Sequence, residues 1–153
     1  MKSVTAKELA VIIYTIIQNK NYDYSNNFVI SLGRGSIRHF EKAYELANDL
    51  KKILQCGRIR ASRALIASGF MEMRDLVGIS GEKIESKIYL AIGISGSIQH
   101  QAGLKNADMI IAINIDKEAP IFRAAEYGIY GDLFEVLPSL LKELHTICKQ
   151  DSL

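Results

Sequence analysis

The sequence has no tryptophan, two prolines, two cysteines and no apolar run long enough to cross a bilayer. Each shortage excludes something. Cys56 and Cys148 lie far apart and form no metal spacing of the CxxC kind. Two isolated thiols are what a reduced, cytoplasmic protein carries. The apolar stretch from Leu9 to Ile17 is interrupted by Thr15 and falls far below the ~20 residues of a spanning helix, so no membrane insertion is expected. The start, MKSVTAKEL, carries acid early and does not have the layout of a signal peptide. Neither sign of charge dominates: 19 Lys and Arg are mixed with 17 Asp and Glu, so nucleic acid is not an expected partner. No HExxH, no Ser-His-Asp order and no acid pair with a hydrolytic role is present.

What is present suits one domain. The chain has 153 residues and 48% hydrophobic content, enough for a real core. Thr5-Ala-Lys-Glu8 has the form of a capping box and opens a helix running to about Lys20. That helix is apolar nearly all round, so it needs cover on more than one side, from its own sheet or from a second copy of the chain. Asn19 to Asn27 reads as a polar loop and Phe28 to Leu32 as a strand. Apolar residues at near-helical spacing predict a helix over Ile37 to Leu54. A strand near Arg58 to Ala61 leads to a helix opened by Ser62, and Gly69 to Ser86 is irregular. Ile88 to Ile92 and Met109 to Ile113 are strands on either side of a short helix from Ser97 to Leu104. Pro120 opens a helix to Tyr127, Gly128 to Tyr130 is extended, and Pro138 predicts a break in the final helix. Strands and helices alternate, and the strands are continuous apolar runs. Both features point to an α/β fold, a doubly wound, mainly parallel sheet with helices on both faces.

Ligands in such sheets sit at the carboxyl ends of strands, near the point where the strand order reverses. Four polar segments should converge there: Gly33-Arg-Gly35, Ala61-Ser-Arg63, Gly93-Ile-Ser-Gly-Ser97 and Asn114-Ile-Asp116. The third precedes a helix. Glycine lets backbone approach a ligand, and a helix start offers amides suited to phosphate. Arg34 adds a cation between two glycines, and Arg63 another at a neighbouring strand end. Any one of these is also an ordinary turn. Together they predict a nucleotide or dinucleotide pocket. His100, one turn after Ser97, is a surface or core residue unless it faces that pocket, where it can stabilise developing negative charge.

Three stretches carry a more specific likeness. "YLAIGISGSIQHQAG", "IIAINIDKEAPIF" and "AEYGIYGDLFEVLPSLLKEL" resemble, in order, the C-terminal FAD-binding domain of the electron transfer flavoprotein alpha subunit. "SLGRGS" and "RASRALIASGF" resemble two further motifs of that family, and the likeness covers Phe28 to Leu144. The resemblance implies bound FAD and a fold similar to the central domain of thiamine-diphosphate enzymes. It implies that Arg34 contacts the pyrophosphate and that Ser62 and Arg63 lie at the phosphates and flavin. Ser80 takes the place of a family threonine near flavin N5. Ser95, Gly96, Ser97, Gln99 and His100 line the cofactor, with the imidazole near flavin O2. Asn114, Asp116, Asp132 and Leu133 belong to the cofactor site, with Asn114 and Asp132 at the adenosine end. On this reading Arg63 and His100 supply positive charge that raises the flavin potential.

The sequence departs from the family in four places. The N-terminal domain is absent, and only a helix and loop over residues 1–27 precede the FAD-binding domain at 28–150. Arg60 replaces a glycine before "ASRA", Ile79 replaces a glutamine, and Glu126 replaces an aspartate. The resemblance implies an electron carrier between a dehydrogenase and an acceptor rather than an enzyme with its own substrate. A scaffold that binds FAD or an adenine nucleotide without redox partners is the alternative. A beta-subunit-like protein, or a second copy in a homo-oligomer, is expected to cover the surface that faces a partner in the family. The Met1 start and the helix cap lead us to expect a native short chain.

Overall fold

A computed structural model of the protein describes residues 1–18, 24–77 and 85–151. In chain order it contains β1 (Lys2–Ser3), α1 (Ala6–Ile17), α2 (Tyr24–Asn27), β2 (Phe28–Leu32), a 3-10 turn (Arg34–His39), α3 (Phe40–Leu54), β3 (Arg58–Ala61) and α4 (Arg63–Ala67). A second 3-10 turn (Met73–Asp75), β4 (Glu85–Ile92), α5 (Ile98–Ala102), β5 (Asn106–Asn114), α6 (Ile121–Ala124), β6 (Tyr127–Tyr130) and α7 (Leu133–Asp151) follow. The strands form one sheet in the order β1-β6-β5-β4-β2-β3, and every pairing is parallel.

The apolar runs are buried on both sides, as a parallel sheet requires. Phe28, Ile30 and Leu32 of β2 with Ile88, Leu90 and Ile92 of β4 face one way, into a core closed by α1, α3 and α7. Val29, Tyr89, Ala91 and Ala112 face the other way, against Leu104, Ala119, Ile121 and Phe122. The expected helices on both faces are present, but they are unequal. One face carries the three long helices, and the other carries the short α5 and α6 with their connections.

Thr5 caps α1: its hydroxyl accepts from Glu8 N at 3.1 Å and lies 3.2 Å from the Glu8 carboxylate. The apolar helix predicted at the amino terminus is thus confirmed over Ala6–Ile17, and Leu9, Ala10 and Ile13 are fully buried. Its cover comes from within the chain, since it packs on α7, and Tyr14 hydrogen-bonds Asp151 at the far end of that helix. Ahead of it, β1 adds an edge strand that the sequence did not advertise; two residues show no alternation. Among the described residues of this segment, β1 and α1 are therefore built into the sheet and the core.

Several boundaries differ from expectation. α2 (Tyr24–Asn27) falls in the segment read as a polar loop, β4 begins at Glu85 rather than Ile88, and β5 begins at Asn106 rather than Met109. The helix expected from Ile37 begins at Phe40, because residues 34–39 form a 3-10 turn that ends at His39 with φ −140° and ψ 63°. The helix opened by Pro120 stops at Ala124, where Ala125 turns extended and β6 starts at Tyr127. The break expected at Pro138 is absent, and α7 is continuous over Leu133–Asp151. Proline there forfeits one backbone bond in the second turn, a local loss, while Leu137, Leu140 and Leu144 bury a whole face of the helix. Among the described residues, Cys56 and Cys148 form no disulfide and no helix is long and apolar enough to cross a membrane.

Leu9→Ala should lower stability in urea unfolding by ~2–5 kcal/mol, as for a buried leucine in a closed core. Val11→Ala, at a position 50% exposed, should change it by less than ~0.5 kcal/mol. Equal small effects would mean that α1 is not part of the core.

Candidate functional site

The strand order reverses between β2 and β4. Chain leaving β2 runs to β3 on one side, and chain leaving β4 runs to β5 on the other. A crevice opens there, and the register puts the strand ends on one edge: Leu32 lies opposite Ala61 and Ile92, and Ile92 lies opposite Ile113. The ladder continues into the loops through Gly33 N to Ile92 O (2.9 Å), Ser62 N to Leu32 O (2.9 Å), Gly93 N to Ile113 O (2.9 Å) and Gly131 N to Asn114 O (3.0 Å). The four polar segments expected at this edge meet there.

The glycines have a specific reason. A Cβ on Gly33 would sit 2.5 Å from the Gly93 carbonyl oxygen, and one on Gly35 would sit 3.0 Å from Gly93 Cα. The two glycine-containing loops cross in backbone contact, joined by Gly35 N to Gly93 O at 3.0 Å. Gly93 (φ 65°) and Gly96 (φ 82°) also adopt the left-handed region, and a Cβ on Gly96 would meet Ile121 backbone at 2.7 Å. Ser36, which the sequence did not mark, locks the first turn by donating from Oγ to Gly33 O at 2.6 Å.

Two clefts lie on this edge. The first, of about 670 Å³, is lined by Arg34, Ser62, Arg63, Ser95, Gly96, Ser97, Gln99 and His100 on its polar side, with Leu76, Val77 and Ile94 among its apolar residues. The second, of about 280 Å³, is lined by Arg34, Arg38, Gly93, Asn114, Asp132 and Leu133 among others. Arg34 is common to both. Its guanidinium has no carboxylate partner among the described residues.

Of the residues anticipated, Ser62, Arg63, Ser95, Gly96, Ser97, Gln99 and His100 come together in the first cleft, and Asn114, Asp132 and Leu133 in the second. Ser80, together with the Ile79 departure, lies outside the described residues. Asp116 lines neither cleft; its carboxylate accepts from Glu118 N at 2.9 Å and shapes the turn after β5. Asn114 is largely committed to the scaffold: Nδ2 donates to Ile94 O and Oδ1 accepts from Asp116 N, both at 2.9 Å. Asp132 caps α7 through Phe134 N (2.9 Å) and lies 3.8 Å from the exposed Arg38, a pairing of small energetic weight. Arg60 is absent from both clefts and pairs with Asp75 at 3.9 Å, behind the Leu76–Val77 wall. The wall itself joins β3 through Val77 N to Ala61 O at 2.9 Å.

Ser97 opens α5 as expected, its hydroxyl accepting from His100 N at 3.2 Å. That helix has five residues, too few for a substantial dipole, so positive potential in the first cleft comes from Arg34 and Arg63. His100 is 5% exposed, and its Nε2 lies 2.7 Å from the Tyr89 hydroxyl. Burial lowers its pKa to about 4, so the cation expected there is a neutral imidazole near pH 7. Burial also pushes the Tyr89 phenol well above its ordinary value. Sequence reasoning missed Tyr89, although a lone hydroxyl inside the apolar run IYLAI signals a buried polar partner.

A family model described as the electron transfer flavoprotein FAD-binding domain matches residues 24–105. Protein FixB of Clostridium saccharobutylicum is 40% identical over 146 residues, covering 94% of this chain and 43% of that protein. The electron transfer flavoprotein alpha subunit of Paracoccus denitrificans is 45% identical over 118 residues (76% of this chain, 37% of that one). The acryloyl-CoA reductase electron transfer subunit beta of Anaerotignum propionicum is 42% identical over 113 residues (74% and 31%). The chain thus spans less than half the length of these curated relatives. Among solved structures, one described as the structural basis for the mechanism and regulation of Sir2 enzymes superposes with a TM-score of 0.55 at 9% identity, covering 94% of this chain and 98% of that one, a likeness of fold alone.

Two expectations follow from this geometry. Gly33→Ala forces backbone against backbone and should cost ~1–3 kcal/mol in denaturant unfolding; a neutral result would mean that the loops do not cross as described. His100 has its pKa lowered on folding, so its share of stability is fully present above its unfolded value near 6.5 and is lost as pH falls towards 4. At pH 5 the parent should have lost roughly 2 kcal/mol of the stability this group allows at pH 7, and His100→Gln should lack that increment. Parallel pH profiles for the two proteins would show that His100 titrates normally.

Proposed function

We propose that this chain, which belongs to the electron transfer flavoprotein alpha-subunit family, binds FAD across its two clefts and acts as an electron carrier. The observation that carries the proposal is the sharing of Arg34. A dinucleotide has two ring ends joined by a pyrophosphate, and here two clefts of unequal size are joined at one arginine with no acidic partner among the described residues. The donor set fits the group. The larger cleft, with its apolar wall at Leu76, Val77 and Ile94, suits the flavin; the smaller, beside Asn114, Asp132 and Leu133, suits the adenosine end.

When bound, FAD supplies one- and two-electron chemistry. The chain's part is binding, orientation and charge. Arg34 holds the pyrophosphate with a planar fork that matches paired oxygens. Arg63, with Ser62 beside it, puts positive charge on the flavin side, which favours the reduced, more negative cofactor. His100 acts as a neutral hydrogen-bonding group before reduction. Electrons come from a dehydrogenase, and a beta-subunit-like protein or a second copy of this chain covers the open side of the cleft. The location is the cytoplasm. These partners and this location follow from the family reading and the reduced thiols, and Ser80 and Asp116 remain candidate contacts on the same basis.

Arg34→Ala should weaken FAD binding by about one to two powers of ten, as expected for a charge-assisted bond worth roughly 1.5–3 kcal/mol. Arg34→Lys should recover only part of it. Titration of FAD and ADP by fluorescence and calorimetry reads both. Unchanged affinity for both ligands in Arg34→Ala would reject the phosphate role. A purified protein that takes up no flavin would reject the function itself.

A further inference from the structure

The site contains one buried side chain that touches no cleft and yet is bonded to a residue that does. Tyr89 is fully buried in β4 on the face shared with Val29 and Ala91. Its hydroxyl lies 2.7 Å from His100 Nε2, and His100 lines the first cleft. We propose that Tyr89 is a positioning residue: its hydroxyl donates to Nε2 and so holds His100 as the neutral tautomer with its proton on Nδ1, set to donate a hydrogen bond to an acceptor atom of the ring system bound in the first cleft. This rests on the reading of that cleft as the flavin site.

Three observations fix the direction of the bond. Both rings are neutral near pH 7, because burial raises the phenol and lowers the imidazole, so each pairing has one donor and one acceptor. A phenol is a far stronger acid than a neutral imidazole N–H, and a bare imidazole nitrogen is a better acceptor than a phenol oxygen, which makes the phenol the donor. The third observation is Ser31. Its hydroxyl is buried and has no hydrogen-bond partner of ordinary geometry. The phenol proton is therefore not claimed by Ser31 and is left for Nε2.

The other end of the histidine is pinned as well. Its backbone N–H donates to Ser97 Oγ at 3.2 Å, and the two rings stand 5.9 Å apart at an interplanar angle of 58°. With Nε2 engaged, Nδ1 is the ring nitrogen that makes no hydrogen bond to a described residue. A histidine whose second nitrogen is held by a fixed partner presents its first in one tautomer and one orientation. The strand thus sets the donor in the cleft from beneath, without meeting the ligand.

The test combines nitrogen-15 NMR of labelled histidine with ligand titration. In the cofactor-free parent, His100 should read as a neutral ring protonated on Nδ1. In Tyr89→Phe, which keeps the ring and removes only the hydroxyl, this tautomer should lose its dominance. FAD affinity should fall about two- to tenfold, the worth of one neutral hydrogen bond, while ADP affinity stays unchanged. A merely structural tyrosine would leave the tautomer and the FAD-to-ADP ratio alone. A parent protonated on Nε2, a variant that keeps the parent's tautomer, or a changed tautomer with unchanged FAD affinity would each overturn the proposal. A parent that binds no FAD overturns the flavin reading and the cofactor-facing half of this one; the parent's tautomer still reads the Tyr89–His100 half separately.

Discussion

The cleft depends on two backbones passing at contact distance. The turn after β2 and the loop after β4 diverge from adjacent strands, and the space between them is the site. They first cross: Gly33 and Gly35 pass Gly93 with no room for a Cβ on Gly33 and with contacts of 3.0 Å, tighter than ordinary packing, for a Cβ on Gly35 or Gly93. That crossing sets where Arg34 stands, since it lies between the two glycines that make the contact. It also starts Gly93 at φ 65° and sends the chain through Gly96 to Ser97, which caps α5 and places His100. One steric constraint therefore positions the cation, the hydroxyl cap and the imidazole together. A glycine-rich turn after a strand is usually read as a ligand cradle; here its first task is to let the protein touch itself.

Polar side chains around the second cleft are mostly spent on the scaffold. Asn114 joins the β4 loop to the turn after β5, Asp116 closes that turn, and Asp132 starts α7. Such residues shape a site by holding backbone where a ligand can meet it, and their identity reads as function even when the structural bond comes first. Arg34 differs. It has no such employment among the described residues, and an unpaired arginine at a strand-order reversal has an unfilled electrostatic role. Arg60 shows the contrast: this cation, in β3, is met by Asp75 next to Leu76 and Val77 and does not line the cleft.

The fold was legible where burial dictated composition. Apolar runs at Phe28–Leu32, Ile88–Ile92 and Met109–Ile113 could only be strands covered on both faces, and they occupy adjacent places in a parallel sheet. Ser97, Arg34 and Arg63 were legible because they follow strands directly. What could not be read depended on distant partners. The edge strand Lys2–Ser3 pairs with the ladder that β6 offers, and α7 continues through Pro138 while Leu137, Leu140 and Leu144 on its inner face are buried. The charge state of His100 was hidden for the same reason. Its spacing from Ser97 puts it at the cleft, but its neutrality comes from burial against a tyrosine eleven residues earlier, on a strand whose facing the sequence does not announce.

The amino-terminal segment has the same logic. A parallel sheet ending at β6 would leave a strand edge open beside Gly128, a residue with no side chain to guard it. β1 pairs there, and Met1 lies over Gly128 so closely that a Cβ on the glycine would strike its sulfur. Leu9 and Ile13 then carry the chain across the face that α7 completes. An apolar helix at the start of a chain invites a reading as a seam for another molecule. Here much of the apolar surface is covered internally, with Val11 left half exposed, by the helix that begins at the second cleft with Asp132 and ends beside Tyr14. β1 and α1 thus support the site through α7, as structural members of the same sheet and the same core.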